Sequence, residues 1–198
     1  MAPGQHRLFI TLQVRSPGNP GYHFGLLLSP KLEKKFERRS IRFHATNNIT
    51  KTHRPDRTGY VRWRYEKAAV DPHASQHLVT KILVAKLPSP NKLVTYWAER
   101  IHQALECVPV LQRLDASLFN CNIWVREALE TLRRSGEPAF MSIPRLCAMG
   151  TGVLEQEMRG LADKARKRLV CLSPGRYRYK YSMKDFRNRI DSVRLGCC

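Results

Sequence analysis

The sequence predicts an α+β protein, an antiparallel sheet followed by helices packed against it. Three observations predict this. The alternating, β-rich segments all precede residue 88, whereas helical periodicity begins only at Lys92. The connections between the early segments are dense in turn formers. Strands run first and helices second, the order of an α+β fold rather than of alternating βαβ units. At 198 residues, with 42% hydrophobic and 26% charged side chains, the chain can build one globular core. We divide it into a single α+β domain over 1–170 and a basic tail over 171–198.

The elements follow in order. Residues 7–15, Arg-Leu-Phe-Ile-Thr-Leu-Gln-Val-Arg, read as a first strand, and Ser16-Pro17-Gly18-Asn19-Pro20-Gly21 as a turn. Residues 22–28 form a second strand, antiparallel to the first because the connection is short. Residues 31–39 make a basic loop or short helix. Residues 40–46 alternate as a third strand, with Ile41 and Phe43 on one side. Residues 47–59 form a polar loop, 60–66 a fourth strand rich in β-formers, and 78–87 a fifth closed by Pro88. A helix spans Lys92 to Leu105, with Leu93, Tyr96, Trp97, Ile101 and Leu105 as its apolar stripe. Val108-Pro109-Val110 is a short extended piece. A further helix is expected over Gly152 to Arg168.

The central stretch is the helix from Asn120 to about Ser135. Cys121, Trp124, Val125, Ala128, Leu129 and Leu132 share one face, and Arg126, Glu127, Glu130, Arg133 and Arg134 fill the other. Asn120 suits the N-cap, since its side-chain oxygen can accept from an early N–H. Cys121 then lies in the first turn, where free N–H groups and the macrodipole favour an anion. A cysteine nucleophile needs a base and a group to orient that base. Of seven histidines, only His23 and His44 sit in neighbouring apolar strands, where the sheet can hold them together. The same residues also fit a buried small thiol and two satisfied core histidines.

The words Tyr22-His23-Phe24-Gly25-Leu26-Leu27, Phe43-His44-Ala45 and Asn120-Cys121-Asn122-Ile123-Trp124-Val125, in that order, resemble the circularly permuted papain-like fold of the lecithin–retinol acyltransferase-like proteins. Trp63-Arg64-Tyr65-Glu66 and Val108-Pro109-Val110, with the Cys121 segment, also resemble a set of uncharacterised fungal proteins. The resemblance covers roughly residues 22–135. It implies a papain-like sheet-and-helix architecture and a Cys-His-His site, with Cys121 as nucleophile, His23 as base and His44 orienting His23. The implied activity is that of a thiol hydrolase or acyltransferase on a peptide, amide, ester or thioester. The acyltransferase branch follows its cysteine with Glu-His-Phe, where this chain has Asn122-Ile123-Trp124.

Charge suggests a second, non-catalytic reading. The net charge is +19, and it is concentrated in residues 31–67, with 12 Lys/Arg against 4 Asp/Glu, and 159–198, with 12 against 3. Such segments can meet nucleic acid or an anionic membrane surface. In the tail, Tyr177, Tyr179 and Tyr181 alternate with Arg178 and Lys180, a pattern suited to stacking on bases. Cys197 and Cys198 end the chain behind a basic stretch and are candidates for lipidation, since a lipid with a polybasic patch anchors stably. The six cysteines form no CxxC pair and no metal-ligand spacing. No glycine-rich phosphate loop, HExxH or GxSxG is present, so no cofactor is expected. Scattered cysteines, no signal-peptide core and no apolar run of about 20 residues lead us to expect an intracellular protein, cytoplasmic or nuclear, with peripheral attachment to a membrane as a further option.

Overall fold

The computed structural model describes residues 5–15, 21–31, 39–75, 77–88, 93–112, 119–143, 156, 158–164 and 183–185. Five antiparallel strands form the sheet: β1 Gln5–Val14, β2 Tyr22–Ser29, β3 Ser40–Thr46, β4 Arg64–Val70 and β5 Leu78–Pro88. A short β6, Met183–Asp185, adds a parallel edge beside β5. The order across the sheet is β4-β3-β2-β1-β5-β6. Helices α1 Val94–Leu105 and α2 Cys121–Arg134 follow the first five strands. The fold is therefore α+β, as strands-then-helices predicts.

Alternation along the strands produces two unequal faces. Leu8, Ile10 and Leu12 of β1, Phe24, Leu26 and Leu28 of β2, and Phe43 and Ala45 of β3 turn to the main core. That core is closed by Trp97, Ala98, Ile101 and Leu105 of α1 and by Trp124, Val125, Ala128, Leu129 and Leu132 of α2. The opposite face carries, among the described residues, a small cluster of Phe9, Leu27 and Leu83 with Val70 against it. Helix α2 rests on β2 and β3, which brings its first turn to the start of β2.

The start of α2 is fixed by its cap. Asn120 is extended (φ −151°), and its side chain accepts from the N–H groups of Asn122 and Ile123. Its carbonyl accepts from Trp124 N–H. Replacing Asn120 with alanine is expected to cost about 1 kcal/mol, the usual loss at an N-cap. A urea unfolding curve measures it, and an unchanged midpoint would count against the cap.

The fourth strand lies later than expected. It runs over Arg64–Val70 rather than 60–66. The reason is a turn built on Asp56, whose carboxylate accepts from the N–H groups of Thr58 and Tyr60. Gly59 takes a positive φ of 79° inside that turn. The β-formers after it cover the core instead of pairing: Val61 is buried, and Trp63 meets Phe119 edge-on. Within the segment read as a tail, Met183–Asp185 pairs with Lys81–Leu83. The expected helix over Gly152 to Arg168 is helical at 158–164. Cys197, Cys198 and the tyrosines at 177, 179 and 181 lie outside the described residues. Among the described residues, no helix is long and apolar enough to cross a membrane.

Candidate functional site

The site is built where β2 and β3 part. Their ladder runs through Leu28↔Ile41 and Leu27↔Arg42 to Leu26↔Phe43 and stops there. Phe24 lies beyond it, and its N–H donates instead to the Sγ of Cys121, at 3.3 Å. A strand N–H lies near the plane of its sheet, so the sulfur fills the gap at the sheet's end. Arg15, just past the end of β1, donates its Nη2 to the same sulfur at 3.3 Å. Both partners are donors, so the sulfur is held as an acceptor. Cys121 itself is 1% exposed.

The histidines pair as neighbouring strands allow. Nε2 of His23 lies 2.7 Å from Nδ1 of His44, with the rings edge-on at 76°. Gly25 makes room for this. A Cβ there would sit 3.2 Å from the Cβ of His44 and 3.3 Å from the carbonyl oxygen of Phe43. His23 alternates with the core residues Tyr22 and Phe24, and His44 with Phe43 and Ala45. The imidazoles therefore occupy the sheet face opposite α2, whereas the sulfur lies at the sheet's end against Phe24 N–H and Arg15. The amide that binds the sulfur is the one that follows His23. The sulfur's hydrogen bonds go to that amide and to Arg15, not to the His23 ring, and among the described residues Nδ1 of His23 has no hydrogen-bond partner.

Three further residues complete the arrangement, and none was singled out as a site residue from the sequence. The β3–β4 register sets His44 directly across from Glu66. Nε2 of His44 lies 3.3 Å from Oε2 of Glu66, at ion-pair distance but without hydrogen-bond alignment. Arg64 holds the other carboxylate oxygen, with Nε at 2.7 Å from Oε1. Arg15 is the third. The signal for Glu66 was the β3–β4 register, which a fourth strand ending at 66 concealed. No signal in the sequence pointed to Arg15.

Electrostatics favour neutral rings. His23 is pushed down from 6.5 to about 4, first by burial and then by the positive charges of Arg15 and Arg42. His44 is lowered further, by burial above all and then by Arg42, His23 and Arg64. Each neutral imidazole carries one N–H. Glu66 only accepts, so it favours the proton on Nε2 of His44. Nδ1 of His44 is then an acceptor, Nε2 of His23 donates to it, and Nδ1 of His23 keeps a lone pair.

The same shifts set a pH dependence. When folded, His23 binds its proton only near pH 4, and when unfolded near 6.5. Between those values the unfolded chain holds more protons, so stability falls as pH falls. His44 adds to the loss in the same direction. Urea midpoints are expected to be flat above pH 6.5 from this source and to decline from 6.5 towards 4. The slope should shrink in His44→Asn; an equal slope in that variant would contradict the assignment.

Two hollows meet at Arg15. One, of about 270 Å³, is lined by Gln13, Val14, Arg15, His23, Asn47, Asn48 and His77. The other, of about 120 Å³, holds Cys121 among Arg15, Tyr22, Phe24, Asn120, Asn122 and Arg159. Among the described residues, no group of three or more His, Cys, Asp or Glu is placed to hold a metal ion.

Residues 5–145 match the model of a family of unknown function, DUF6914. No curated protein and no solved structure matches the chain.

Proposed function

We propose that this chain, which belongs to the family of unknown function DUF6914, is a thiol hydrolase or acyltransferase that uses Cys121, His23 and His44 on an acyl substrate. The observation that carries the reading is the 2.7 Å contact between His23 Nε2 and His44 Nδ1 beside a capped helix that opens on Cys121. A base, its orienting partner and a nucleophile arrive from three separate elements.

The chemistry follows from the tautomers. Nδ1 of His23 takes the thiol proton, directly or through one water, in a contact that tightens when substrate binds. The sulfur attacks the carbonyl carbon, and the carbonyl electron pair moves onto oxygen. The N–H groups of Asn122, Ile123 and Trp124 are already taken by Asn120. The N–H of Cys121 has no partner among the described residues and is the oxyanion donor. As the tetrahedral species collapses, His23 returns its proton to the leaving group and an acyl-cysteine remains. Water or an acceptor nucleophile then gives a proton to His23, attacks the acyl carbon and expels the sulfur. His44 and Glu66 are positioning residues that keep the lone pair on the His23 nitrogen where it is needed.

A panel of aryl esters and acyl thioesters tests the reading. Intact-mass analysis after a brief incubation is expected to show one added acyl group, mapped by peptide to Cys121. No acyl adduct on Cys121 with any member of the panel, at millimolar substrate, would sink the proposal. Glu66→Ala is expected to lower kcat roughly tenfold with KM unchanged, the size of one modest electrostatic contact to the His44 ring. Glu66→Gln should retain more activity, because its amide oxygen still accepts.

A non-catalytic role in binding nucleic acid or an anionic membrane surface is favoured by no specific observation of the described residues. The thiol chemistry fits a reducing, intracellular setting: Cys107 and Cys121 are both free.

A further inference from the structure

The surroundings of Cys121 carry positive charge that the chemistry above does not use. Arg15 places Nη2 at 3.3 Å from the sulfur. Among the described residues, no carboxylate lies within ion-pair distance of Arg15. Arg159 lines the same hollow of about 120 Å³ from another segment of the chain, and its guanidinium passes close to Gly21. Among the described residues, that hollow has no acidic side chain in its lining. The carboxylate at its margin, Asp163, accepts from the hydroxyl of Tyr22 and does not line it. Glu66 stands behind His44 and is held by Arg64.

A guanidinium lies against the nucleophile. It occupies the sulfur's lone pairs and, through its charge, opposes protonation of the neighbouring imidazole. A planar donor fork is suited to a carboxylate, which it binds through two parallel hydrogen bonds. A carboxylate entering the hollow would draw Arg15 onto itself and free the sulfur.

We infer that the acyl substrate carries a carboxylate a few bonds from its scissile carbonyl, and that Arg15 recognises it. This rests on Cys121 being the nucleophile, and it deepens that reading by naming the substrate class. Arg15 acts as a specificity residue: it leaves the sulfur for the substrate carboxylate, so binding of the anion and release of the nucleophile are one event. Neutral acyl compounds leave Arg15 on the sulfur and react slowly.

Two alkylating agents of equal reach separate the charge effect from the chemistry. Both displace iodide with the sulfur; iodoacetate carries a carboxylate, and iodoacetamide is neutral. On the full chain, each cysteine is read by peptide mass. The exposed Cys107 serves as the internal comparison. The ratio of iodoacetate to iodoacetamide rates is expected to be about tenfold higher at Cys121 than at Cys107, the effect of one partly screened ion pair. Salt should lower that ratio at Cys121. Arg15→Gln should bring it to the value at Cys107, and Arg15→Lys should keep part of it. Equal ratios at Cys107 and Cys121 in the unaltered protein, or no alkylation of Cys121 by either reagent, would overturn the inference; neither result depends on a variant that must fold. His23→Asn distinguishes the underlying reading. It should slow both reagents at Cys121 and leave their ratio intact. A preserved ratio with no dependence on His23 would retain the carboxylate site and remove the Cys-His mechanism.

Discussion

Replacing Cys121 with alanine is expected to abolish acyl transfer, and His23→Asn to reduce it by about 10²–10⁴-fold, the usual contribution of a positioned base. The two losses differ in kind. Without the sulfur no acyl-enzyme forms. Without the imidazole the sulfur remains beside Phe24 N–H and Arg15, and it reacts with whatever fraction loses its proton to solvent. The fold should survive both changes. Cys121 is small, and its removal leaves α2 with its cap on Asn120 intact. His23 is only partly buried and faces a hollow rather than the main core. Turnover of the best thioester, measured beside circular-dichroism melting curves, checks the pair. Full activity in Cys121→Ala, with an unchanged melting curve, would remove the cysteine mechanism.

The largest effect on stability should come from Trp124→Ala, at about 3–5 kcal/mol. Trp124 is wholly buried in α2 and stacks on Tyr65 of β4, with ring centroids 5.6 Å apart and planes at 30°. It therefore joins the helix that opens on Cys121 to the strand that carries Glu66. Deleting it leaves a cavity between the two elements that the packed core around Val125, Ala128 and Phe43 cannot close. A melting temperature lower by about 10 °C is expected for a chain of this size. Trp124→Phe should be far milder, because Nε1 of Trp124 is buried without a hydrogen-bond partner among the described residues, so little polar interaction is lost with it. Melting curves of the two variants decide this; equal losses would mean that the indole N–H has a role the packing argument misses.

The site also explains why a glycine stands at position 25. β2 must bring His23 alongside β3 while leaving space for the His44 ring, and a Cβ at Gly25 would press on the Cβ of His44 and the carbonyl of Phe43. The requirement is for space, since this glycine takes no positive φ.

The sequence alone determined the elements whose signals are local. β-rich runs closed by turn formers marked β1, β2 and β5, alternation marked β3, and a three-and-four spacing marked α2. Asn120 before an apolar run marked the cap, since a side-chain oxygen at that spacing reaches the N–H groups of the first turn. The candidates Cys121, His23 and His44 were legible because reactive residue types stood out at the start of a helix and in two neighbouring strands. What the tertiary structure decided depends on register and on chain segments far apart in sequence. The Asp56 turn moved β4 forward, and only the resulting pairing set Glu66 across from His44. Strand alternation fixed the sheet face of the two histidines, but which face α2 would cover was settled by packing. Arg15 reached the sulfur across 106 residues of chain, through the end of β1 and the gap between β2 and β3. No periodicity encodes such a contact, because it arises from where two separately specified elements come to rest against each other.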